Sequence, residues 1–216
     1  MEETRLLASR REMVEQQLRW RGIRDEALLR AFMETPREAF LPPEVQSDAY
    51  KDCPVPIGFG QTISQPYVVA LMVQELSVQP HHRVMDVGAG SGYQTAILAR
   101  MARHVCAVER IEALTERSMA AIARLNIRNV SFCTADGSLG WLEEAPFDRI
   151  ICGAAAPDVP PAWIDQLADG GRIVLPVGGQ ETQVLLAVDK SAGQIRRRQF
   201  CDVRFVKLIG RQGWPE

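Results

Sequence analysis

Long apolar runs are missing from this chain, and so is any excess of charge of one sign. No window holds the roughly 18 consecutive apolar residues that a membrane-spanning helix needs. The charges nearly balance, with 25 Lys and Arg against 27 Asp and Glu, a net charge of −2 and a pI of about 6.0. A nucleic-acid-binding domain ordinarily carries a basic stripe. The only dense basic run here is Arg196-Arg197-Arg198, which reads as a solvated turn or strand edge. Neither a nucleic acid nor a membrane is therefore expected as a partner, and a monomer is the expected state. Histidine is scarce, at three residues (His81, His82 and His104), and all three read as solvated strand ends. The five cysteines (Cys53, Cys106, Cys133, Cys152 and Cys201) form no C-x-x-C pair. Their odd number and spacing speak against a disulfide framework or a metal site, so no metal is expected. Three of them sit in β-like runs, as small buried thiols do in a reducing compartment. Residues Met1 to Arg5 carry both signs of charge and no apolar signal core, which makes the cytoplasm the expected location.

What is present suffices for one sizeable core: 216 residues, 46% of them hydrophobic and 24% charged. The length favours a single domain over 1–216. Residues 1–80 lack a strand–helix alternation. A helical pattern runs through Leu6, Met13, Val14 and Leu18, and a second through Ala27, Leu28, Ala31 and Phe32 until Pro36 stops it. The Pro- and Gly-rich stretch that follows reads as ordered loops and short pieces. A helix is expected from Pro66, since proline suits the first helical position.

From about residue 82 strands and helices alternate. Strands are expected at Arg83–Val87, Val105–Val108, Val130–Thr134, Arg149–Cys152 and Ile173–Val177, with helices at Tyr93–Ala102, Ile111–Leu125 and Pro161–Leu167. Gly170-Gly171 is read as ending the last helix. Val184–Val188 and Ile195–Val206 read as two late strands joined at Ser191–Gly193. The pattern predicts a doubly wound α/β fold: a mostly parallel, Rossmann-like sheet over 81–216 with helices on both faces and a late antiparallel hairpin. An N-terminal helical and loop cap over 1–80 completes it.

The most informative stretch is Asp86-Val87-Gly88-Ala89-Gly90-Ser91-Gly92-Tyr93, a buried strand running into a loop with glycine at alternate positions and then a helix. Such loops let a ligand approach the backbone at the carboxyl end of a strand. The dinucleotide fingerprint G-x-G-x-x-G needs a third glycine where this chain has Tyr93, which weakens a pyrophosphate reading. Glu109, about 20 residues on, stands where a carboxylate accepts from ribose hydroxyls. Asp136-Gly137 follows the third strand, where a carboxylate can accept from an adenine amine and a glycine leaves the ring room. Three such signals at the ends of three consecutive strands resemble the class I S-adenosylmethionine-binding fold.

An upstream segment narrows the resemblance. Gly58-Phe59-Gly60-Gln61-Thr62-Ile63-Ser64-Gln65-Pro66-Tyr67 resembles the substrate loop of the protein-L-isoaspartate O-methyltransferases. Further matches run in order from roughly residue 10 to 210, among them Arg37-Glu38-Ala39-Phe40-Leu41-Pro42, Val108-Glu109-Arg110, Asp136-Gly137-Ser138-Leu139-Gly140-Trp141, Ala154-Ala155-Ala156-Pro157 and Gly170-Gly171-Arg172. The resemblance implies methyl transfer from S-adenosylmethionine to the free carboxylate of L-isoaspartyl residues in damaged proteins or peptides, with S-adenosylhomocysteine as product. The methyl ester then closes to a succinimide whose hydrolysis returns some normal aspartate.

The same resemblance implies that Ser64 is the catalytic residue, donating to the isoaspartyl carboxylate or lying beside the transferred methyl, while Thr62 and Ile63 line the substrate and sulfonium. Gly88, Gly90, Ser91 and Gly92 would face the methionine part of the cofactor, Glu109 the ribose and Asp136 the adenine; Asp86, Arg110 and Gly137 complete the cofactor set. The plainer reading of Ser64 is an N-cap on the helix at Pro66. The family pattern is broken at Lys207, where proline is usual, at Ala135 and Gly153, and mildly at Asp86, where glutamate is commoner. Lys207 keeps open a related O-methyltransferase acting on another peptide or a small-molecule carboxylate.

Overall fold

The computed structural model describes residues 2–179 and 182–216; Met1, which opens the charged N-terminal stretch, lies outside them. The first helix, α1 (Glu2–Glu12), continues through a π-helical turn at Met13–Leu18, which buries Met13, Val14 and Leu18. Asp25 caps α2 (Glu26–Glu34) by accepting from the Ala27 and Leu28 N–H groups at 2.9 and 3.1 Å. Leu28, Leu29, Ala31 and Phe32 form its buried face. The Pro- and Gly-rich stretch holds a short hairpin, β1 (Val55–Gly58) and β2 (Gln61–Ile63), which the sequence pattern does not disclose because turn residues dominate it. Then follows α3 (Pro66–Leu76), with proline at its first position as expected.

The strands and helices that follow are β3 (Arg83–Val87), α4 (Tyr93–Met101), β4 (His104–Glu109), α5 (Glu112–Arg124), β5 (Val130–Thr134), β6 (Phe147–Cys152), α6 (Pro161–Gln166), β7 (Leu167–Gly178), β8 (Gln183–Ser191) and β9 (Gln194–Val203). They build a seven-stranded sheet ordered β5-β4-β3-β6-β7-β8-β9. The first five strands in that order are mutually parallel, and β8 and β9 run antiparallel at one end. The chain winds outward from β3 to β5 and then returns to place β6 on the other side of β3. Such a switch point opens a crevice outside the carboxyl ends of the strands.

Three local expectations differ from the structure. Gly170-Gly171 does not end a helix but lies within β7: the five residue steps from Leu167 to Arg172 pair against the two steps from Phe147 to Arg149 on β6. Glycine in a strand commonly marks such a bulge rather than a boundary. His82 is buried, not solvated, and its Nδ1 accepts the Gln79 N–H at 2.9 Å. The third difference concerns Ser64 and is described with the site. The basic run is a strand edge, as expected. It lies on exposed β9, where Arg197 and Arg198 reach Asp158 and Glu75 at 2.8 and 3.0 Å. Charge on an outer strand discourages edge-to-edge pairing. The β8–β9 turn is Ala192-Gly193, both at positive φ (49° and 73°), as tight hairpins prefer.

The cap is part of the same packing. Phe32 and Phe40 meet the Tyr93 ring edge-on, at 5.9 and 5.6 Å between centroids. Tyr93 opens α4, so aromatic contacts of this kind fasten the N-terminal segment to the helix that follows the glycine loop.

Candidate active site

The glycine loop owes its shape to alternating left-handed residues. Gly88, Gly90 and Gly92 have φ of 72°, 56° and 85°, a region costly for residues with a Cβ. The Gly88 N–H donates to the Val108 carbonyl at 2.8 Å, and the Gly92 N–H to Ala89 at 2.8 Å. Gly92 has a second reason to be glycine. A Cβ there would overlap the Ser118 hydroxyl and lie 3.1 Å from Ser118 Cβ, so this position lets α4 and α5 approach closely.

Glu109, the last residue of β4, is 6% exposed and holds the loop from the side. Its Oε2 accepts the Gly90 N–H at 2.9 Å and its Oε1 the Ile111 N–H at 3.0 Å. The carboxylate thereby stands in the wall of a cleft that runs along the glycine loop. Gln61, Thr62, Gly88, Gly90, Glu109, Arg110 and Lys207 are among the residues that line it.

Four expected cofactor residues, Asp86, Ser91, Gly92 and Asp136, are not in the lining of this cleft. Asp86 is fully buried beneath the loop. Its oxygens accept from Gln94 Nε2 and Thr95 Oγ1 at 2.7 and 2.6 Å, which makes it an anchor for the start of α4. Burial pushes its carboxyl up to about 6. Asp136 lines an adjoining recess under the C-terminal segment. Its carboxylate accepts from the Ser138 N–H and hydroxyl at 2.9 and 2.6 Å and from the Arg211 N–H at 2.7 Å. Partial burial alone would push this carboxyl up, but the bonds from Arg211 and Ser138 outweigh it, and the group lies below its ordinary value. Gly137 behind it is in the cleft wall, and a Cβ there would crowd Val87 Cγ1. Arg110 borders both spaces and pairs with Glu216 at 2.6 Å.

On the cap side, the hairpin β1–β2 rests on the core through the Arg117 side chain, which donates to the Ile57 carbonyl at 2.8 Å. Ile63 is turned into the hydrophobic core, leaving Thr62 exposed and Ser64 half-buried on either side of it. Ser64 and Ser91 border one small recess between the hairpin and the glycine loop. Ser64 also lines an outward groove whose opposite wall is Asp202–Val206 and which shares Thr62, Gly153 and Val206 with the main cleft. Ser64 is not the helix cap. Gln65 occupies that position and makes no side-chain cap bond.

Residues that sequence reasoning left without a role also belong here. Gly153, where threonine is usual, approaches Gly88 so closely that a Cβ would lie 3.1 Å from its carbonyl. Arg37, inside a stretch matched by resemblance, donates from Nη2 to the Ser64 carbonyl at 2.8 Å while fully buried. Burial of this kind leaves no mark in a local pattern of residues. Lys207 Nζ lies 5.5 Å from the Trp214 ring centroid, a cation–π distance. Backbone bonds from Ala155 to Val206 and from Leu208 to Ala155, at 2.7 and 2.8 Å, hold this segment beside the end of β6. Among the described residues no group of three or more His, Cys, Asp or Glu could hold a metal ion, and no helix is long and apolar enough to cross a membrane.

A Rossmann-like sheet, a glycine loop after its first strand, an acidic residue ending the second and an aspartate–glycine pair after the third define a class I S-adenosylmethionine-dependent methyltransferase. The sequence profile of the protein-L-isoaspartate(D-aspartate) O-methyltransferase family matches residues 8–213, and the chain belongs to that family. It is 48% identical to protein-L-isoaspartate O-methyltransferase 1 of Rhodopseudomonas palustris over 98% of this chain and 87% of the relative. It is 47% identical to the protein-L-isoaspartate O-methyltransferase of Geobacter metallireducens over 95% and 96% of the two chains. A crystal structure of a Plasmodium falciparum protein-L-isoaspartate O-methyltransferase in complex with S-adenosyl-L-homocysteine superposes with a TM-score of 0.81 at 31% identity, covering 92% of this chain and 97% of the other. The cofactor of the family is S-adenosylmethionine.

Proposed function

We propose that this chain transfers a methyl group from S-adenosylmethionine to the free carboxylate of L-isoaspartyl residues in proteins or peptides, with Ser64 at the acceptor. The observation that carries the proposal is the meeting of two spaces at one point. The main cleft, lined by Gly88 and Gly90, and the outward groove beside Ser64 share Thr62 and Gly153. A cofactor in the first and an extended peptide in the second would bring methyl and carboxylate together there.

When bound, S-adenosylmethionine supplies a sulfonium methyl: the carboxylate oxygen forms the new O–C bond, the C–S bond breaks with its electron pair kept by sulfur, and no proton moves. The chain's own residues therefore need only to bind, orient and exclude water. Glu109 would hold the ribose, Gly88, Gly90, Ser91 and Gly92 the amino-acid end, and Arg110 and Gly137 the adenosine side, with Asp136 bracing the tail. Asp86 supports the loop from below. The Ser64 hydroxyl would donate to the acceptor carboxylate, with Thr62 and Ile63 beside it. No general base is required. His82 and His104 stand at the amino ends of β3 and β4, across the sheet from the cleft. The ester closes to a succinimide without further help, which makes the reaction a repair step.

In this proposal residues 1–80, as cap and substrate loop, and 81–216, as cofactor-binding core, work as one domain and as a monomer in the cytoplasm, without nucleic acid. The free cysteines and the near-balance of charge support that view. Lys207 favours a second reading, a related carboxylate on another peptide or small molecule, because it adds a cation at the cleft wall where the family has proline.

Ser64→Ala tests the assignment. Ser64 caps no helix, so its loss should change stability by no more than about 0.5 kcal/mol. Turnover on an isoaspartyl peptide should fall about tenfold to a hundredfold, the worth of one charge-assisted hydrogen bond in a desolvated site. S-adenosylhomocysteine affinity should be unchanged in a titration. Wild-type turnover in the variant would remove Ser64 from the site.

A further inference from the structure

Arg37 breaks an ordinary rule of protein interiors. It opens a 3₁₀ turn, Arg37–Phe40, and its side chain is fully buried. Nε and Nη1 have no hydrogen-bond partner among the described residues, carboxylates included. Nη2 donates to the Ser64 carbonyl at 2.8 Å, and Cζ stands 5.0 Å from the Tyr93 ring centroid. Burial pushes the guanidinium down to about 10, which still leaves it charged at neutral pH. A buried cation without a counter-ion is costly, and an apolar residue of similar volume would often be more stable. Local rules broken in this way concentrate at functional sites.

The contact it makes falls at the link between β2 and α3. Ser64 links β2 to α3, and its carbonyl stands outside the helix, whose first backbone bond runs from Val69 to Gln65. Gln65 makes no side-chain cap bond. Between the pairing of Ile63 with Val55 and the first turn of α3, the Ser64 carbonyl is held by the Arg37 side chain, which itself lies over the ring of the residue that opens α4.

We propose that Arg37 is a positioning residue for methyl transfer: by holding the Ser64 carbonyl it sets the rotation of the Thr62–Gln65 segment, and with it the direction from which the Ser64 hydroxyl meets the acceptor carboxylate. The proposal rests on the assignment of Ser64 to the acceptor. Arg37 touches neither substrate nor cofactor, and its removal acts on turnover through Ser64.

The test compares Arg37→Met, Arg37→Lys, Ser64→Ala and the Arg37→Met/Ser64→Ala double variant by steady-state kinetics on an isoaspartyl peptide, with S-adenosylhomocysteine titrations and melts on the same preparations. Arg37→Met should lose about tenfold or more in kcat/KM, as expected for a hydrogen bond from a charged donor. Its S-adenosylhomocysteine Kd should stay within about threefold of wild type, and its melting point should not fall, since an uncompensated charge leaves the interior. Arg37→Lys, which keeps one donor and the charge, should regain part of the loss. The double variant should be no slower than Ser64→Ala, because two changes acting through one hydroxyl do not add. Wild-type kcat/KM in Arg37→Met beside an impaired Ser64→Ala would overturn the proposal. So would losses that multiply in the double variant, or cofactor affinity falling in step with turnover. If Arg37→Met does not fold, Arg37→Lys with and without Ser64→Ala carries the same comparison. An unimpaired Ser64→Ala would instead defeat the assignment of Ser64 on which the proposal stands.

Discussion

Glu109→Gln keeps the shape of the side chain and removes half of what it does. The carboxylate accepts from two backbone N–H groups, Gly90 at 2.9 Å and Ile111 at 3.0 Å, in a position 6% exposed. A glutamine oxygen can accept from one of them, and its amide nitrogen then faces the other donor to donor. One buried N–H is left unsatisfied, at a cost of about 1–3 kcal/mol. For a chain of this length each kcal/mol lowers Tm by roughly 2–4 °C, so the apo variant should melt about 2–12 °C lower. Binding suffers separately, because the remaining lone pairs of the carboxylate are those a ribose diol would donate to. Losing bonds to a charged acceptor should weaken S-adenosylhomocysteine by about 1.5–3 kcal/mol, or roughly tenfold to 150-fold. Melts of the apo protein and calorimetric titration of the same samples read the two effects independently. A variant that melts lower yet binds S-adenosylhomocysteine like wild type would make Glu109 a strut for the glycine loop and refute its place on the ribose.

Gly92→Ala should cost about 1 kcal/mol for a left-handed alanine and about 1–3 kcal/mol more for crowding Ser118, and Ser118→Ala in the same background should recover part of it; an unchanged urea midpoint would contradict the close approach of α4 and α5. Asp86, pushed up to about 6 by burial, stays protonated in the native state while the unfolded chain ionises. Stability should therefore fall as pH rises through roughly 4–6, and Asp86→Asn should flatten that slope. His82, pushed down to about 4 by burial and by the nearby Arg149, has the opposite sign: stability should fall as pH drops from roughly 6.5 towards 4, and His82→Gln should flatten this limb. Denaturant unfolding measured across pH 4–7 separates the two, and variant curves parallel to wild type would show that neither group is linked to folding.

The sheet was legible because its central strands, β3 and β4, are buried almost throughout and read as apolar runs of the right length; Arg83–Val87 is bounded as expected, and so is the half-buried outer strand Val130–Thr134. The glycine loop was legible because its backbone conformation demands glycine at alternate positions. Features set by tertiary contacts were not. The β7 bulge at Gly170-Gly171 depends on register with β6, which is a tertiary property. The engagement of Asp136 by the Arg211 N–H joins residues 75 apart in sequence, and that of Ser64 by Arg37 joins residues 27 apart. Local composition records neither. The same limit hid Asp86: a carboxylate near the carboxyl end of a strand looks alike whether it faces a ligand or, as here, the first turn of α4.

The most direct measurement uses two peptides that differ only in one residue, L-isoaspartate in one and L-aspartate in the other, with labelled S-adenosylmethionine as methyl donor. The proposed site predicts base-labile methyl ester on the isoaspartyl peptide, formed in proportion to enzyme, and none above background on its twin. Equal labelling of both peptides, or of neither while S-adenosylhomocysteine still raises Tm, would contradict it and move the acceptor to another carboxylate.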